Sequence, residues 1–184
     1  AESILLDLLS VSGLQGDFSI QAEASIELVK LYRLKNQYKK ALYHLNILNR
    51  SLSQHLKSQH YQVLILEQAQ LALDMNQLEY VIALVSPLNF SEALLIKAEA
   101  LYRLNKHKQC LEICHQLLSD YQLPATVKGI IHNLIGRCYQ EVNYRLAIEQ
   151  FDLAIEYFSK TFNLRYLSHV QINLATAFIH SEEI

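Results

Sequence analysis

His107, Cys110 and Cys114 fall at i, i+3 and i+7 of one helical stretch, and Cys138 follows in the next. Soft ligands gathered on one face are a donor set that binds zinc tetrahedrally. Packing is the competing reading. Free Cys is among the most buried residue types, and structural zinc sites usually draw close ligand pairs from turns, a pattern absent here. The expectation is that these cysteines are small core residues and that the chain holds no metal and no other cofactor. Histidines give no better handle. His55 and His60 stand five apart and share a helical face poorly. No His-Glu-x-x-His occurs, "GLQG" (Gly13 to Gly16) lacks phosphate-cradling spacing, and no Gly-x-Ser-x-Gly elbow is present. No enzyme is expected.

The elements that must position any site are helices. Apolar residues make up 51% of the 184 residues and charged residues 18%, the balance of a globular chain. Four Gly and two Pro leave too little punctuation for an all-β protein. Leu, Ala, Glu, Lys and Gln dominate long stretches, so the class is all-α. Sixteen basic against eighteen acidic residues give a net charge of −2, which recruits neither nucleic acid nor an anionic membrane. The short basic clusters "KNQYKK" and "NKHKQ" read as solvated turns. The longest apolar run, "VIALV" from Val81 to Val85, is far too short to insert in a bilayer. Three cysteines make no disulfide framework, which points to a reducing, cytoplasmic setting.

A phrase recurs along the chain. "LYRLKNQYKKAL" from Leu31 returns as "LYRLNKHKQCL" from Leu101, and "NLIGRCYQEVNYRLAIEQFDLAI" from Asn133 keeps the same order. "EQAQLALDMNQLEYVIALV" from Glu67 is a degraded copy. The turn asparagines Asn36, Asn76, Asn105 and Asn143 are spaced 40, 29 and 38 apart, irregular periods of a two-helix repeat. The 29-residue step requires a clipped second helix ending near Pro87. Repeats are expected over 18–56, 57–88, 89–123 and 124–162, with a half repeat over 163–184, together forming one domain over 1–184. Residues 1–13 read as the end of a preceding repeat, and since the chain opens on Ala1 it is expected to be part of a longer array. Asp17 and Ser91 lead into helical runs, Ser91 as an N-cap. "SLSQHLKSQH" from Ser51 reads as a loop or an exposed helix extension.

The copy beginning at Asn133 resembles a tetratricopeptide repeat, whose small and aromatic positions fall on Leu134, Gly136, Tyr139, Tyr144, Ala147, Phe151 and Ala154. In the first copy the matches are Leu28, Tyr32, Tyr38, Ala41 and Leu45. Val81 and Cys110 stand where the pattern has Ala, and Trp is absent. The longer spacings are similar to the variety found in bacterial signalling regulators. The resemblance implies a right-handed α-solenoid of antiparallel helix pairs whose first helices line a concave groove. It implies a non-enzymatic scaffold that binds a protein or peptide there. Carried onto this chain, the groove receives Lys30, Arg33, Arg103, Asn133, Arg137 and Gln140, with Glu23, Gln70, Asp74 and His169 nearby. Arg33, Arg103 and Arg137 would present planar forks suited to carboxylates. The Lys/Asn clamp of the chaperone-tail-binding members lacks its full spacing. The alternative is a sensory or regulatory arm of a larger signalling or transcription regulator, binding a small ligand or signalling peptide.

Overall fold

The computed structural model describes residues 1–49 and 58–182, and the side chains of 61–179 after the break. Most of the polar stretch from Ser51 to His60, with His55, lies outside the described residues. Every regular element described is a helix, and no strand occurs among the described residues. No helix is long and apolar enough to cross a membrane among the described residues.

The chain forms two compact units, Ala1–Pro87 and Leu88–Ile184. The first holds α1 (Glu2–Gln15), α2 (Phe18–Leu34), α3 (Tyr38–Ile47), α4 (Ser58–Asp74) and α5 (Leu78–Val85). Here α2 packs on α1, α3 and α4, while α4 also meets α3 and α5. The core joins Ala22, Ile26 and Val29 of α2 to Ala41 and Leu45 of α3 and to Leu64 and Leu71 of α4. The eight-residue α5 is the clipped second helix that the short spacing requires.

The second unit holds α6 (Ser91–Arg103), α7 (His107–Leu118), α8 (Ala125–Tyr139), α9 (Tyr144–Lys160) and α10 (Leu164–Glu182). Consecutive helices pack together, and α8 also touches α6 and α10. The stripe Ala147, Phe151, Ala154 and Phe158, spaced four and three apart, is buried to completion along α9. Gly136 and Gly129 of α8 lie under Phe151 and Phe158, in that reversed order, so the two helices run antiparallel. A Cβ at Gly136 would stand 2.5 Å from the Phe151 ring, and one at Gly129 2.8 Å from Phe158. These glycines let the rings sit against the α8 backbone, where each buried Phe contributes about 1.5–3 kcal/mol.

The turns explain the repeated phrase. Asn36, Asn76 and Asn105 adopt left-handed backbone with φ of 57°, 59° and 58°. Asn is among the few side chains that tolerate this region, because its short amide bonds locally. At each, the Asn N–H donates to the carbonyl three residues back, and the following N–H reaches five back, to Tyr32, Ala72 or Leu101. This double closure is a Schellman motif, which satisfies helix-end carbonyls and starts the next helix two residues later. Asn143 departs from the expected register. Its φ is −153°, and its side chain caps α9 by accepting from Leu146 N–H at 3.2 Å. The turn there is longer, so the fourth asparagine is an N-cap and not a left-handed joint. Asp17 caps α2 as expected, accepting from Ser19 and Ile20 N–H. Ser91 is instead the first residue of α6, preceded by Phe90, and its hydroxyl bonds Glu92. Phe162 also takes a positive φ, 52°, although its ring is 86% exposed.

Candidate functional site

The repeated face can be built from helical spacing. Glu99, Tyr102 and Arg103 stand at i, i+3 and i+4 of α6. Asn133, Arg137 and Gln140 stand at i, i+4 and i+7 along α8 and its end. Tyr166, His169, Asn173 and Thr176 follow the same rule on α10. Because α8 lies against both neighbours, these three sets come together.

Arg137 is at the centre. Its guanidinium forks onto the Glu99 carboxylate, with Nη1 donating at 2.9 Å and Nη2 at 3.4 Å. Its flat face lies over the Tyr102 ring, 4.0 Å from the centroid, and Tyr102 also stacks with His107. Burial works against the Arg137 charge, but Glu99 beside it more than compensates and holds the guanidinium above its ordinary value. Arg103 Nε donates to the same carboxylate at 2.9 Å. One carboxylate therefore meets two guanidiniums.

Arg137 also separates two cavities. One, of about 400 Å3, is bounded by Tyr102, Arg137, Gln140, Glu141, Tyr144 and Thr176. The other, of about 290 Å3, is bounded by Asn133, Arg137, Tyr166, His169 and Asn173, with no carboxylate among them. Asn173 donates its amide N–H to Asn133 Oδ1 at 2.9 Å, tying α10 to α8. Carboxamides both donate and accept, so these walls match the alternating N–H and C=O of an extended backbone.

Four of the six expected groove residues, Arg103, Asn133, Arg137 and Gln140, therefore share one face of the second unit. Lys30 and Arg33 belong to the first. Lys30 pairs with Glu27 at 2.7 Å on its own helix. Arg33 reaches from α2 to α4, donating to Asp74 at 3.1 Å and standing 3.6 Å from Glu67. Arg33 Nε and Glu67 Oε2 are buried and too far apart to hydrogen-bond. Burial pushes the Glu67 carboxyl up against the pull of Arg33. The arginine forks are thus turned onto carboxylates of their own unit.

Glu99, Tyr102, Tyr166, Asn173 and Thr176 were not expected from the sequence reading. Two signals existed: Glu99 stands four residues before Arg103, and Asn173 stands forty after Asn133.

The cysteines pack. Cys110 and Cys114 are wholly buried and Cys138 is 2% exposed. The Cys110 thiol is pushed far up, first by Cys114 beside it. Cys138 is pushed up by Cys110 and by burial, so the thiolate form that binds metals is disfavoured. His107 faces Tyr102. Among the described residues no group of three His, Cys, Asp or Glu is placed to hold a metal ion.

No family model matches the chain, and no curated protein or solved structure matches it significantly.

Proposed function

We propose that this chain is a non-enzymatic scaffold of the tetratricopeptide type, its helix pairs stacked as a solenoid, and that it holds an extended protein or peptide segment on the α6–α8–α10 face. The supporting observation is the pair of adjoining cavities that share Arg137, walled by Asn133, Asn173 and Gln140. Carboxamides bond a backbone whatever its sequence, while Tyr102 and Tyr144 offer apolar area with a polar tip. The guanidinium is already positioned by Glu99 and Tyr102, so little side-chain entropy remains to be lost on binding.

The test is a cross-linking pull-down to identify the segment, followed by fluorescence anisotropy with that segment labelled. Asn133→Ala combined with Gln140→Ala is expected to weaken binding at least tenfold and leave the helical circular dichroism unchanged. Lys39→Glu with Lys40→Glu, in the first unit, is expected to change affinity less than twofold. Equal losses in the two double variants would refute the α6–α8–α10 assignment.

A further inference from the structure

A third cavity, of about 260 Å3, opens in the first unit where α3, α4 and α5 meet. Its floor is apolar: Leu45, Leu71 and Ala72 are buried and Met75 is half-buried. Its rim carries four carboxamides, Asn46, Asn49, Gln68 and Gln77, together with the Tyr80 hydroxyl. Among the described residues, no charged side chain lines it. The cavity beside α7 in the second unit differs, with Lys108, Glu112 and His115 in its wall.

Two features hold the rim in place. Gln68 of α4 hydrogen-bonds the Tyr80 hydroxyl of α5. At the end of α3 the Leu48 N–H still donates to the His44 carbonyl, so Asn49 follows directly on the helix and lines the cavity.

The chemistry follows from the lining. A charged occupant would lose its hydration with no opposite charge among the described lining residues to replace it, which favours a neutral one. Carboxamides above an apolar floor suit a neutral group with an aliphatic body and amide flanks. The volume lies below the ~300–1,000 Å3 of sites for drug-sized ligands, which leaves room for one residue. We infer that this cavity is a binding site for a single neutral, branched aliphatic residue of a peptide, its side chain on Leu71 and Met75 and its amides bonded by Asn46 and Gln77. The site lies in the other unit from the α6–α8–α10 face and does not rest on the function proposed for that face.

Met75 is the sole methionine of the chain, so a 13C-methyl-methionine label gives one resonance that reports on the cavity. Titrating the whole chain with N-acetyl-L-leucinamide should move that resonance along a saturable curve, with Kd on the order of millimolar as befits so small a ligand. N-acetyl-L-leucine has the same side chain but ends in a carboxylate, and should bind at least fivefold more weakly. Glycines added on both sides of the blocked leucine should tighten binding, whereas weaker binding would overturn the assignment to a peptide residue. Ala72→Ile fills the floor and should abolish the shift. If that variant does not fold, Asn46→Ala with Gln77→Ala, on the exposed rim, should weaken binding at least threefold. A linear, non-saturating shift, equal affinity for the two probes, or undiminished binding in the rim variant would overturn the proposal.

Discussion

Glu99 accepts hydrogen bonds from both Arg103 and Arg137, and this changes what substitution of those arginines would do. Read from sequence, both arginines are forks offered to the carboxylates of a partner. With Arg137 forked onto Glu99, Arg137→Glu instead brings two carboxylates together and strips a guanidinium from the Tyr102 face. Removing one partner of a fully buried pair costs ~3–5 kcal/mol, but these side chains keep 25% and 21% exposure, so about 2 kcal/mol is expected in urea unfolding. The spacing to Arg103 marked Glu99 in the sequence, but its bond to Arg137 on another helix is a tertiary fact that local periodicity does not carry. His44 supplies a pH signature. It is buried between the Tyr32 and Tyr43 rings, with Lys40 over Tyr32, and burial lowers its pKa. The unfolded chain therefore takes up a proton at His44 more readily than the folded one. Its contribution is intact above the unfolded value of about 6.5 and is lost as pH falls below it. Comparing Tm at pH 7.5 and 5.5, His44→Phe should show a smaller drop than the wild type, and an equal drop would refute this.

The helices themselves were legible, because apolar residues recur at a period near 3.6 and polar turns interrupt them. Their contacts were less so. Gly136 reads as a repeat position in the sequence, but only the structure shows Phe151 lying on it. Ala at an exposed helix position would gain about 1 kcal/mol over Gly, yet here the new methyl meets a fully buried ring. Gly136→Ala should therefore lower stability by about 1–3 kcal/mol, the cost of overpacking a filled core, as chemical denaturation would show. Phe162 should behave in the opposite way. An aromatic residue at φ 52° holds backbone strain, and its exposed ring has little packing to lose. Phe162→Asn should raise stability by up to about 1 kcal/mol, and a lower Tm would show that the ring is engaged. Cys110→Ala should cost no more than about 2 kcal/mol, whereas Cys110→Asp, which buries an unpartnered charge, should be far worse.

At the scale of the whole chain, the break after Pro87 separates two bodies, each built from five helices among the described residues. The sequence placed a repeat boundary at 88–89 but gave no reason to treat it differently from the others, since Pro87 and Pro124 look alike as punctuation. Each unit has a core of its own, from Ala22 to Leu71 in the first and from Ala147 to Ala177 in the second. Residues 88–184 expressed alone should therefore remain helical and melt cooperatively by circular dichroism. A broad, non-cooperative melt would show that the second unit depends on the first.

The three left-handed asparagine joints have a consequence for how such a chain can change its length. Asn36, Asn76 and Asn105 close their turns with the same pair of backbone bonds, although 40 residues separate the first two and 29 the last two. The difference falls on both helices of a pair: α5 has eight residues against ten in α3, and α6 has 13 against 17 in α4. Insertions and deletions there alter the stride from one pair to the next while the hinge stays constant, much as a ruler is regraduated without moving its pivot. The joint therefore tolerates a change of length in the helix on either side of the asparagine, provided the turn between them keeps its two backbone bonds.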